Sequence, residues 1–191
     1  MPSSEPEPAR EERDLLSGIA WRSVERAAHR KPPLRIDAST YPERVREPGA
    51  SFVTLRLAGA LRGCIGSLEP TRSLVDDVAH NARAAALDDP RFPPLEPEEL
   101  ARLELHLSVL GPLERIPVGT REELLAQLRP GMDGLVLRHD SRRATFLPGV
   151  WESLPEPEAF VSELERKAGF DTRAWKKGVD AFRYTVWDWQ A

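Results

Sequence analysis

The chain has 191 residues, 40% apolar and 30% charged, enough for one domain or at most two small lobes. Its net charge of -4, from 27 basic against 31 acidic groups, is the wrong sign for a general phosphate-backbone binder, so nucleic acid is not an expected partner. One cysteine excludes an internal disulfide and a cysteine-only metal cage. With no apolar leader and no stretch near the ~20 apolar residues of a membrane helix, it predicts a cytoplasmic protein without membrane contact. Arginine outnumbers lysine 23 to 4, a bias that suggests a GC-rich bacterial source.

Residues 1–13 carry almost nothing apolar and predict a disordered tail, leaving 14–191 as a single domain of two lobes. From Asp14, Leu15, Leu16, Ile19, Ala20, Val24, Ala27 and Ala28 recur at helical spacing, and Pro32-Pro33 ends that helix. Residues 51–57 read as a strand, Ala58-Gly59-Ala60 as a turn, and 61–68 as its hairpin partner. A helix follows over 73–87. Residues 88–95 hold three prolines and are predicted non-helical. Leu103, Leu105, Leu107 and Val109 alternate with Glu104, His106 and Ser108, the pattern of a half-buried strand. Beyond it lie a helix over 120–128, strands over 134–138 and 143–147, a helix over 157–168 stopped by Gly169, and a last strand over 182–187. This mixture predicts an α+β fold with a mainly antiparallel sheet and flanking helices.

The stretch Leu61-Arg62-Gly63-Cys64-Ile65-Gly66 is unusual for a strand. Glycine weakens a strand interior and marks a bulge or a close approach by another backbone or a ligand. In a regular strand Arg62, Cys64 and Gly66 share one face, and a guanidinium beside the thiol favours thiolate. Two readings stay open: a functional thiol, or a small buried apolar residue whose flanking glycines relieve crowding. A bulge would separate Arg62 from Cys64.

This block, with Ser51-Phe52-Val53-Thr54-Leu55, Asp89-Pro90-Arg91-Phe92-Pro93-Pro94-Leu95, Gly131-Met132-Asp133-Gly134 and Phe146-Leu147-Pro148-Gly149-Val150-Trp151, resembles the family named for the Alport syndrome, midface hypoplasia and elliptocytosis chromosomal region. In prokaryotes it is called AmmeMemoRadiSam system protein A. The resemblance runs from about Asp14 onward. It implies a larger lobe holding both termini, a smaller lobe and a cleft between them, with no assigned activity. It also implies two partners, a Memo-like protein and a radical S-adenosylmethionine enzyme. One departure is Gly149, where the resemblance leads one to expect a larger polar residue, often Gln.

Two functions follow as expectations. In one, the chain is a binding or accessory protein whose cleft takes a small molecule or peptide and which serves those two partners in protein or RNA modification. In the other, it is a thiol-dependent group-transfer enzyme with Cys64 as nucleophile, Arg62 as its cation and the Gly63–Gly66 amides as oxyanion donors. Gly63, Gly66, Asp89, Arg91, Phe92, Asp133 and Trp151 are the candidate ligand contacts. For Asp89 and Asp133 a purely local role, an ion pair or a turn, is the competing reading. No cofactor or metal site is predicted, because His29, His80, His106 and His139 lack ligand spacing. His80 is read as a surface helix residue beside Asp76 and Asp77, and Trp187 with Trp189 as a pair on one face of the last strand, a partner surface where that face is exposed.

Overall fold

The computed structural model describes residues 7–170 and 174–191. In chain order the elements are α1 (Arg10–Ala28), α2 (Glu43–Arg46), β1 (Pro48–Leu57), β2 (Ala60–Gly66), β3 (Arg72–Ser73), α3 (Leu74–Leu87), β4 (Leu103–Leu110), β5 (Glu114–Ile116), α4 (Arg121–Leu125), β6 (Gly134–His139), β7 (Arg142–Phe146), α5 (Pro157–Ala168), α6 (Ala174–Lys177), β8 (Asp180–Tyr184) and β9 (Val186–Gln190). Short 3-10 turns precede α2 and β4 and follow β7. The fold is α+β, as the mixed patterning predicts. The chain divides into two compact units, residues 7–110 with 187–191, and residues 111–186.

In the larger unit the strand order is β2-β1-β4-β9, with β3 pairing the start of β1. The hairpin turns at Ala58 and Gly59, both at positive φ, the two-residue geometry whose twist matches the strands. Val53, Leu55, Leu105 and Leu107 alternate onto one face, fully buried. Helices α1 and α3 cover that face with Leu16, Ile19, Val24, Val75 and Val78. Each fully buried aliphatic side chain contributes about 1.5–3 kcal/mol. Alanines at 20, 27, 82 and 85 keep the two helices close, and the Ser23 hydroxyl donates to the Ala79 carbonyl at 2.6 Å.

Helix α1 begins at Arg10, so residues 10–13 belong to it and not to a tail; the Ala9 N–H donates to Glu12 Oε2 at 2.8 Å and starts the helix. Residues 1–6 of the predicted tail lie outside the described residues. The single strand expected over 182–187 is two strands split at Thr185, one for each unit's sheet. Trp187 and Trp189 are half-buried on the larger unit's core, and Trp189 Nε1 donates to the Ser17 hydroxyl at 2.9 Å, so they are not an exposed pair.

The smaller unit has strand order β5-β8-β6-β7, antiparallel throughout. Leu135, Leu137, Phe160, Val161 and Leu164 form its core, and Trp151 stacks on Phe160 with centroids 3.7 Å apart. Among the described residues no helix is long and apolar enough to cross a membrane.

Candidate functional site

Among the described residues strand β2 is an edge strand, so one side of its backbone has no neighbouring strand. At Cys64 two side chains take that neighbour's place. The Cys64 N–H donates to Asp89 Oδ2 at 2.8 Å, and Arg91 Nη2 donates to the Cys64 carbonyl at 3.4 Å. Both come from the segment after α3, which folds back on the helix through the Leu95 N–H to Ala86 carbonyl bond of 2.8 Å. Its prolines make this a rigid strap.

Asp89 is 4% exposed. Arg91 grips it side-on, Nε to Oδ1 at 2.9 Å and Nη2 to Oδ2 at 2.7 Å, and the Arg91 N–H adds a bond of 3.1 Å. The guanidinium bonds hold the Asp89 carboxyl far below the usual carboxylate range; burial opposes this, and the Cys64 and Arg91 N–H groups add to it. In return Asp89 raises Arg91 further, with a smaller contribution from Cys64. The Arg91 side chain is still 54% exposed, and among the described residues its Nη1 group has no acceptor. Its guanidinium carbon lies 5.5 Å from the centre of the Phe92 ring.

The thiol lies on the face opposite α3. Gly63 faces α3 so closely that a Cβ there falls 2.2 Å from the Ala85 carbonyl oxygen, and alternation turns Cys64 the other way. Gly66 lies under the Phe52 ring, where a Cβ falls 2.2 Å from a ring carbon. Both glycines therefore serve close packing. Cys64 is half-buried, with Sγ 3.3 Å from the Thr54 hydroxyl. Thr54 pairs with Cys64 on one side and with His106 on the other, so thiol, hydroxyl and imidazole form one row across three strands. Strand spacing puts thiol and imidazole roughly 10 Å apart.

Arg62 is not the cation of this thiol. The pairing Leu55–Gly63 is followed by Arg56–Leu61, so Arg62 is the extra residue of a β-bulge. Its Nε and Nη2 bind Glu99 at 2.7 and 2.9 Å, and Nη1 reaches the Pro93 carbonyl at 3.0 Å. Arg62 lowers the Glu99 carboxyl, and the side chains of this pair are only 12% and 20% exposed. Arg62 therefore fastens the 93–99 segment to the strand, and Arg91 is the cation beside Cys64. The Cys64 amide is likewise committed to Asp89 and not free as an oxyanion donor.

The chain matches the AMMECR1 family over residues 17–189, which spans every group named above. The chain belongs to the AMMECR1 family. A protein of Thermofilum pendens is 36% identical over 183 residues, 88% of this chain and 84% of that protein. One from Methanothermobacter thermautotrophicus is 36% identical over 166 residues, 84% of each. The crystal structure of an uncharacterized protein from Pyrococcus horikoshii superposes with a TM-score of 0.79 at 30% identity, covering 92% of this chain and 89% of that one. The relatives are mostly archaeal, with one from the bacterium Thermotoga maritima at 35% identity, so they leave the bacterial source suggested by the arginine bias unsupported.

The other candidate residues of this AMMECR1-family chain belong to the smaller unit. Asp133 is fully buried and held by Arg129, with Nη2 and Nε at 2.6 and 2.9 Å, and its carbonyl accepts from Trp151 Nε1 at 2.8 Å. The pair closes the turn before β6. Gly149 is exposed with open space at its Cβ position. Asp77, expected beside His80 on the surface, is instead fully buried, while His80 is exposed. Asp77 accepts from the Ser51 N–H and hydroxyl, the Ser67 hydroxyl and Asn81 Nδ2 at 2.7–2.9 Å, which ties α3 to β1. Nothing in the sequence pattern singles out Thr54 or this Asp77 network. Glu99 alone carries a signal, a glutamate three residues after the Glu96 cap of a 3-10 turn.

Proposed function

We propose that this AMMECR1-family chain is a binding or accessory protein, not an enzyme in its own right. It acts with a Memo-like protein and a radical S-adenosylmethionine enzyme in modifying protein or RNA. Its recognition group is Arg91, which receives a carboxylate or phosphate group beside Cys64. The observation that carries this reading is the Asp89–Arg91 fork. A buried carboxylate fixes one edge of the guanidinium and leaves the Nη1 edge open, so little side-chain freedom is lost on binding an anion.

The commitment of the Cys64 amide to Asp89, and of Arg62 to Glu99, argues in the same direction. The runner-up, a group-transfer enzyme with Cys64 as nucleophile, is supported by the Thr54 hydroxyl 3.3 Å from the sulfur. Co-expression of the three proteins and affinity capture tests the proposal. The wild type and Cys64→Ser are expected to retain both partners, and Arg91→Gln to lose them. A wild-type chain that retains neither contradicts it, and loss at Cys64→Ser alone favours the thiol reading.

A further inference from the structure

On the helix side of the larger unit, away from the Cys64 face, an irregular segment of residues 31–37 crosses the surface. Each helix pins it by one arginine: Arg26 Nε of α1 donates to the Pro32 carbonyl at 2.9 Å, and Arg83 Nη1 of α3 donates to the Lys31 carbonyl at 3.0 Å. A well lies on either side, of about 430 and 420 Å³, and Leu34 lines both. The floor of the first is Leu34 and Leu100, and its rim carries Arg22, Arg26 and Lys31. The floor of the second is Leu34, Ile36 and Ala79, and its rim carries Arg72 and Arg83. Arg72 pairs with the buried Asp77 at 3.6 Å, which leaves four cations against two carboxylates, Glu25 and Asp76.

The positive charge is not spent inside the protein. Among the described residues Arg22, Arg26, Lys31 and Arg83 have no carboxylate partner, although most arginines of this net-acidic chain that touch a side chain touch a carboxylate. Nor is it needed to complete α1, because Arg30 already donates to the Ala27 and Ala28 carbonyls at the helix end. Two equal apolar wells under a cationic rim complement a chain that alternates apolar and acidic groups. The rings that line the wells are the imidazoles of His29 and His80, one in each, and no Phe, Tyr or Trp among the lining residues offers the larger platform on which single-stranded nucleic acid stacks successive bases.

We infer that this twin-well face docks a linear acidic peptide segment of a partner protein. One apolar side chain enters each well across Leu34, and the carboxylates between and beside them meet Arg22, Arg26, Lys31 and Arg83. The inference is independent of the Cys64 face.

Selection of random dodecapeptides displayed on phage against the full chain tests it. The expected winners hold two apolar residues flanked by Asp or Glu. A synthetic copy of a winner is expected to bind the Arg22→Glu, Lys31→Glu double variant about tenfold or more weakly. The control reversal Arg56→Glu with Lys176→Glu, which matches the charge change elsewhere, is expected to leave binding within about twofold. Arg22 and Lys31 are exposed and outside the core, so the variant keeps its fold, as circular dichroism will report. Three results overturn the inference: winners without acidic enrichment, equal loss in the control variant, or a twelve-nucleotide RNA binding more tightly with the same dependence on Arg22 and Lys31.

Discussion

The two units each contain a buried aspartate gripped by an arginine, and the pairs look alike in isolation. Asp89 is 4% exposed and Asp133 fully buried; each accepts from the Nε and Nη2 of its arginine and from a backbone N–H. They differ in what else is held. The Asp133 pair centres on its own loop: Arg129 lies four residues away and its own N–H closes the ring around Gly131 at positive φ, with Arg183 of β8 standing 3.8 Å from the carboxylate. The Asp89 pair reaches across 25 residues to the N–H of Cys64 on an edge strand, with the thiol on the open face beside it. A carboxylate–arginine fork is structural glue when it closes its own loop. The Asp89 fork instead fixes a half-exposed cation beside a thiol on another element, the arrangement proposed above to receive an anion.

The largest expected effects divide the two forks. Asp89→Asn and Asp133→Asn should each cost about 2–3 kcal/mol in urea unfolding, because each leaves a guanidinium and an N–H poorly paired. Only Asp89→Asn should also accelerate native alkylation of Cys64. Equal acceleration by Asp133→Asn would erase the distinction. Glu99→Gln should cost less, about 1–2 kcal/mol, since it keeps the hydrogen-bond acceptor but loses the charge facing Arg62. It should leave the pH profile of Cys64 alkylation unchanged; a shifted profile would return Arg62 to the thiol.

The smallest effect is in acid. Arg91 holds the folded Asp89 carboxyl below its unfolded value of about 3.9, so its stabilisation is complete above roughly pH 4 and is lost as pH falls toward the folded value. Between about pH 4 and pH 2 the stability of the wild type should fall more steeply than that of Asp89→Asn. Parallel curves would show that Asp89 gains nothing from Arg91.

What could be read in advance was local. Alternation at Leu103–Val109, the hairpin turn and the Pro-rich 88–95 segment are properties of short windows, and each stands where the pattern puts it, save that Ala60, read as the third turn residue, already belongs to β2. The bulge at Arg62 is a property of two strands, set by the pairing of Leu55 with Gly63 and Arg56 with Leu61, and one strand's pattern does not contain it. The row Cys64–Thr54–His106 depends on three strands in register over 53 residues of chain. The last strand misled for a related reason. Apolar Phe182, Tyr184, Trp187 and Trp189 read continuously, yet the chain passes from one sheet to another at Thr185. Asp77 misled because a carboxylate on an amphipathic helix is read as solvent-facing, whereas three hydroxyl and amide side chains and one backbone N–H satisfy it inside.

If Arg91, fixed by Asp89, receives an anion beside Cys64, the thiol itself reports it. Because Cys64 is the chain's single thiol, the ratio of its alkylation rates by iodoacetate and by iodoacetamide measures that directly. The ratio should be higher in the folded chain than in urea, and should return to the unfolded value in Arg91→Gln. A folded ratio at or below the unfolded one, or a thiol silent until the chain unfolds, would contradict it.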